Sequence, residues 1–142
     1  MSPQRSQILI PQSAIEAMAE HALTCYPEEM CGLLVGDLLK NEVARFVPCT
    51  NIAKSARVYT IDPKEHLRAE LAAEKDGLDV MGSAHSHTHS PAYPSPTDVA
   101  QAPDPGWHYL IVSLESGTAA PRCFRIVDNE ISEEEIVVTA SR

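Results

Sequence analysis

The segment CGLLVGDLL, residues 31 to 39, constrains the fold most. Read as a strand, it carries apolar side chains on both faces, which suits a central position in a covered sheet. EVARFVPCT follows after a tight connection and is placed to pair with it as a hairpin. Two segments read as helices. QSAIEAMAEHALTCYP puts Ile15, Met18, Ala22 and Leu23 at amphipathic spacing, and Pro27 ends it. In DPKEHLRAELAAEKDG, Asp62 can cap, Pro63 fits the first helical position, Glu65 completes a capping box and Gly77 terminates.

The remaining strands are shorter readings. QILIP is a strand or lead-in, and NIAKSARVYTI is loop running into a short strand. LDVMGSAHSH is a strand, SPTDVAQAP starts a short helix, and HYLIVSLE, RCFRIVD and EISEEEIVV are three strands with SGTAAP and DN as turns. No internal repeat or low-complexity segment appears. Helices interspersed with strands, with strand pairs at both ends, predict an α/β sandwich around a mixed sheet, in a single domain over residues 1–142.

Composition narrows the function classes. With 44% hydrophobic residues the chain can bury a core. No apolar run reaches the length of a membrane span, and MSPQRSQILIPQ lacks the apolar core of a signal peptide, so a cytoplasmic location and no membrane partner are expected. The net charge is −9 with only four lysines, and no basic patch is visible, which speaks against nucleic acid. Cys25, Cys31, Cys49 and Cys123 form no C-x-x-C pair and read as reduced, small hydrophobes.

The chemistry concentrates in SAHSHTHSPAYPSPTDVAQA, residues 83 to 102, which holds half of the six histidines. A strand points residues i and i+2 to one side, so His85 and His87 project together and Ser86 faces away. Two imidazoles so spaced can chelate one metal ion; a catalytic zinc needs a third protein ligand and an open position for water. Asp98 is the nearest strong candidate. SPTD also fits a helix N-terminus, with Ser95 as N-cap and an acid three residues on. The two readings are compatible, because an aspartate at a helix start is held rigidly. An H-x-H pair alone equally suits a polar surface loop.

The wider pattern is more specific. His85-x-His87, seven residues, Ser95, two residues, Asp98 follows YPEEMCGLLVG, where Glu29 precedes a cysteine-glycine pair and an apolar strand. This order resembles the signature of the JAMM (MPN-plus) zinc metallopeptidases, and the resemblance continues through AYPSPTDVAQA and HYLIVSLE to FRIVDNEISEE, nearly the whole chain. It implies a mixed, curved sheet in a sandwich similar to that of the cytidine deaminases. The helices at 12–26 and 62–76 would flank it, with the short helix after Ser95 near the metal. It implies one zinc per chain held by His85, His87 and Asp98, with Glu29 as general acid and base and Ser95 as hydrogen-bond donor to the developing oxyanion. Glu28 reads as a solvated neighbour. One departure is that many members carry proline after the second histidine, where this chain has Thr88 and then His89. His89 keeps the ligands' strand parity and is placed either at the substrate entrance or in a solvated loop. His21, His66 and His108 read as structural or surface residues, and Tyr93 and Trp107 as packing, with Tyr93 also within reach of a substrate.

The short chain resembles the compact bacterial and archaeal members, which are linked to ubiquitin-like sulfur-carrier proteins ending in Gly-Gly. The implied reaction is hydrolysis after that tail, releasing an amino acid such as cysteine or a C-terminal extension, by a monomer or homodimer. An extended tail can bind by adding a strand, with glycines where a narrow channel passes over the zinc. The rival from another class is a non-catalytic MPN scaffold, whose usual mark is a missing ligand or glutamate; here all five positions are filled. A zinc nucleoside deaminase wants H-x-E and P-C-x-x-C, and neither is present. A RadC-like DNA-repair association gains nothing from the acidic charge.

Overall fold

The computed structural model describes residues 6–102, 104–115 and 119–140. Seven strands form one mixed sheet: β1 (Gln7–Pro11), β2 (Cys31–Asp37), β3 (Glu42–Cys49), β4 (Asp79–His87), β5 (His108–Ser113), β6 (Ala120–Val127) and β7 (Glu130–Thr139). Their spatial order is β3-β2-β4-β5-β6-β7-β1, and the sheet curves until β1 meets β3 again at the single pair Leu9–Glu42. The pairs β1–β3, β1–β7 and β4–β5 are parallel and the rest antiparallel. The curvature is as expected; the closure was beyond the sequence.

Two helices cover opposite faces, which is why β2 is apolar on both. Helix α1 (Gln12–Cys25) buries Ala14, Met18 and Ala22 against Ile8, Ile10, Leu34, Phe46, Ala84 and Leu110. Helix α2 (Pro63–Lys75) sets Ala69 against Cys31, Leu33 and Cys49 on the other side. Alternate residues of β2 thus enter different cores, and its hairpin with β3 forms as predicted. Leu23 departs from the expected stripe: it is 65% exposed, because the buried line runs through Ala14, Met18 and Ala22 and Leu23 lies about 100° round the helix from it.

Local signals fared unevenly. Asp62 caps α2 through Lys64 N–H, and Gly77 takes φ +71° just beyond it. Glu65 completes no capping box there. Its carboxylate accepts from the backbone N–H and hydroxyl of Thr50, tying α2 to the end of β3. Residues 51–61 form a turn-rich loop closed by the single bridge Asn51–Ile61, with no strand. The DN turn is a two-residue hairpin with Asp128 at φ 52° and Asn129 at φ 65°, as a primed turn requires. The SGTAAP turn falls partly outside the described residues, at 116–118. A bulge lies between β2 and β4, where Leu34 and Val35 face Gly82 and Val80, so Met81 is skipped. Beyond the bulge, Ser83, His85 and His87 face the α2 side. Among the described residues, no helix is long and apolar enough to cross a membrane.

Candidate metal centre

Strand β4 ends in His85 and His87, both buried, and the parallel partner β5 can be reached only by a crossover. That crossover turns back through the proline-rich loop into the short helix α3 (Pro96–Ala100). Ser95 caps it: its Oγ accepts from Asp98 N–H at 3.0 Å, while Asp98 Oδ2 accepts from Ser95 N–H at 2.9 Å. The capping reading of SPTD holds, and the cap leaves Asp98 free to face the histidines. The capping box fixes Asp98 with its oxygen aimed at the histidines.

Three atoms converge. His85 Nε2 and His87 Nε2 lie 3.3 Å apart, and Asp98 Oδ2 is 3.2 Å from the first and 3.0 Å from the second. Metal–ligand distances of 2.0–2.1 Å at tetrahedral angles separate ligand atoms by about 3.3 Å. His87 Nδ1 donates to the carbonyl of Pro91 at 2.8 Å, so a neutral His87 turns the lone pair of Nε2 inward. His85 is oriented differently: Tyr59 stacks on its ring at 4.4 Å between centroids, and its Nδ1 has no hydrogen-bond partner among the described residues. Electron-rich atoms this close need a positive centre between them, either imidazole protons or a metal ion.

The electrostatics follow. Burial drives His85 below the usual imidazole range against the pull of Asp98. At His87 burial pulls the same way, but hydrogen bonds to Asp98 and Pro91 outweigh it and raise its pKa. Burial also disfavours the Asp98 carboxylate, yet both imidazoles hold it well below the usual carboxylate range. The site is therefore built around an ionised aspartate.

Glu29 stands beside this group on the segment entering β2. It is 3% exposed, and its Oε1 is buried without a hydrogen-bond partner among the described residues. Burial pushes its pKa up to about 8, with the charge of His87 lowering and that of Asp98 raising it. A polar atom left open in this way fits a proton-transfer partner that arrives with the reaction. Ser86, facing away from the ligands as expected, locks the two segments together: its Oγ accepts from Met30 N–H at 2.7 Å.

Glu29, His87 and Ser95 line one cleft of about 530 Å³, together with Ala56, Arg57, Thr88, His89 and Ser90. All five predicted site residues thus meet here, the cleft taking three and the buried triangle adding His85 and Asp98. Ser95 Oγ, although it accepts from Asp98, keeps its own proton to donate. His89 is exposed at the cleft and contacts the Tyr26 hydroxyl at 3.2 Å, while half-exposed Tyr93 packs edge-on against Phe124. Glu28 is partly buried rather than fully solvated. Sequence reasoning passed over Arg57, Asn51 and Tyr59, which sit in the mixed 51–61 segment and match no motif. Burial pushes the Cys31 thiol up to about 12 and that of Cys49 up to about 11, so both stay protonated packing groups.

A second buried group joins His108, Cys123 and Glu134 across β5, β6 and β7. His108 Nδ1 and Glu134 Oε1 are 2.5 Å apart, and Ser6 donates to the other carboxylate oxygen. This short direct contact ties β5 to β7 inside the molecule, so His108 is buried rather than on the surface.

The family of prokaryotic homologs of the JAB domain matches residues 11–127, and the chain belongs to that JAMM-related family. Among its relatives, a CysO-cysteine peptidase of Mycobacterium tuberculosis is 36% identical over 132 residues, covering 92% of this chain and 90% of that one. A desampylase of Haloferax volcanii is 42% identical over 95 residues, covering 66% and 68%. The solution structure of a Desulfitobacterium hafniense protein superimposes with a TM-score of 0.86 at 35% identity, covering 94% of both chains. A JAB1/MPN domain protein from Archaeoglobus fulgidus shares the fold at 21% identity with a TM-score of 0.62, over 92% of this chain and 99% of that one.

Proposed function

We propose that this chain is a zinc-dependent peptidase that hydrolyses the peptide or isopeptide bond after the Gly-Gly tail of a ubiquitin-like sulfur-carrier protein. The observation that carries this reading is the triangle of His85 Nε2, His87 Nε2 and Asp98 Oδ2 beside the buried, unpartnered Glu29 Oε1. Relatives named CysO-cysteine peptidase, desampylase and probable TtuB-protein conjugate cleaving protease support this substrate class.

In this reading His85, His87 and Asp98 hold the metal. A zinc ion there supplies a Lewis acid that polarises a carbonyl and brings the pKa of water to about 7. Glu29 takes the proton from the attacking water and passes it to the leaving amine nitrogen. Its burial keeps that proton from escaping to bulk water between the two transfers. Ser95 donates its hydroxyl proton to the oxygen on which negative charge develops, an interaction strongest in the transition state. The tail enters extended, and its glycines leave the space that a narrow passage over the site requires.

Zinc content by elemental analysis, measured on the wild type and His87→Ala prepared alike, tests the centre: one zinc per chain is expected in the first and loss in the second. Glu29→Gln is expected to keep zinc and lose about 10²-fold or more in kcat on a Gly-Gly-extended carrier. No zinc in either protein after addition and dialysis would move the chain to the non-catalytic scaffolds.

A further inference from the structure

The cleft holds one cation that the reaction as described does not use. Arg57 lines it beside Glu29, Thr88 and His89. Its guanidinium has no ion pair or hydrogen bond with a described residue, in a chain of net charge −9; Arg45 and Arg122 pair with acids, and Arg68, which also lacks an ion pair, is on α2 and does not line the cleft. An arginine left without an acid in so acidic a protein is available for one that comes from outside.

The backbone around Arg57 is fastened to the site. Ser55 Oγ accepts from the N–H groups of Arg57 and Val58 at 3.0 and 3.3 Å, forming a tight turn. Glu29 N–H donates to Ser55 O at 2.8 Å, and Asn51 Nδ2 bridges Glu29 O at 3.0 Å and Val58 O at 3.1 Å. On the far side Thr88 Oγ1 donates to Ala56 O at 3.3 Å. The Arg57 turn is therefore tied to Glu29, two residues before β2, and to Thr88, the residue after His87. It rides with Glu29 and the histidines rather than with the solvent-facing loops.

We infer that Arg57 is a specificity residue that receives the α-carboxylate of the amino acid released from the Gly-Gly tail. This rests on the reading above: cleavage after the second glycine leaves an amine, and if only one residue follows, its carboxylate lies a few bonds from the reacting carbon, within the same cleft. An isopeptide-linked lysine, or a longer extension, brings no carboxylate there. Arg57 thus favours removal of a single C-terminal residue over deconjugation.

The test uses the zinc-loaded chain and a Gly-Gly-tailed sulfur-carrier protein extended by one alanine, ending either in a carboxylate or in a carboxamide. Wild type is expected to favour the carboxylate in kcat/KM by about tenfold or more, the usual weight of a hydrogen-bonded charge pair. In Arg57→Ala the carboxylate-to-carboxamide ratio falls to near one, and Arg57→Lys restores part of it. Equal zinc content and equal melting temperature of the variants establish that the site and fold are intact. A ratio that stays the same in wild type and Arg57→Ala, including a parallel fall on both substrates, overturns the assignment. Cleavage of neither substrate by the wild type overturns the peptidase reading and Arg57's role with it.

Discussion

At the scale of single residues, two histidine–carboxylate groups are buried among the described residues, and they are built differently. In one, two imidazoles surround Asp98 at distances that leave room for a metal; in the other, His108 and Glu134 touch directly. Burial alone would raise the Glu134 pKa, but the contact with His108 wins and holds it below the usual carboxylate range. A folded pKa below the unfolded one means that Glu134 contributes stability above the unfolded value, about 4.3, and loses it as pH falls through the folded value. Glu134→Gln is therefore expected to cost about 3–5 kcal/mol at pH 7. The gap to wild type should narrow at pH 3–4, read from chemical denaturation at both pH values; an unchanged gap would rule out the linkage. Of the candidates, His85 and His87 were legible from their spacing along a strand, which fixes side-chain direction, and Glu29, Ser95 and Asp98 through the resemblance to the JAMM family. Arg57, Asn51 and Tyr59 were not, because their roles depend on a loop whose path is set by hydrogen bonds to distant residues.

At the scale of elements, the site depends on how β4 and α3 are anchored. Gly82 sits where a Cβ would come within 1.9 Å of the His108 carbonyl oxygen, so β4 lies against β5 only because that side chain is missing. Gly82→Ala is expected to destabilise the fold by about 1–3 kcal/mol, shift His85 and weaken zinc retention together. Zinc titration and thermal unfolding check both; a variant that loses stability yet binds zinc normally would show the strand moves without its ligands. The α3 cap is open to a similar probe. Ser95→Ala should cost about 1 kcal/mol and loosen zinc about 10- to 100-fold through the freed Asp98, with Ser95→Thr recovering most of it in a chelator competition. Helix and hairpin positions followed from caps, turns and periodicity. The Glu65 contact with Thr50 did not, since a capping-box pattern says nothing about a tertiary partner that competes for the same carboxylate.

For the whole molecule, the α/β class followed from helices interspersed with strands and the central place of β2 from its two apolar faces, whereas closure of the sheet did not. The single Leu9–Glu42 pair that closes it joins strands brought together by the accumulated curvature of all seven, which no local pattern encodes. Because the cores on either side of β2 are complete without an ion, the apo protein should keep its secondary structure by circular dichroism. Zinc at about 100-fold over its dissociation constant should add about 2.7 kcal/mol, seen as a melting temperature higher by roughly 10 °C. Loss of ellipticity on chelation would instead mean that the metal organises the fold. The capping box has a consequence for ancestry as well. Asp98 Oδ2 serves the helix and the histidine pair with one atom. A descendant released from chemistry still needs that aspartate to start its helix, but nothing in the helix asks for His85, His87 or Glu29. An aspartate surviving at this position in some degenerate cousin is therefore a relic of architecture, and only the imidazoles and the glutamate bear witness to an enzyme.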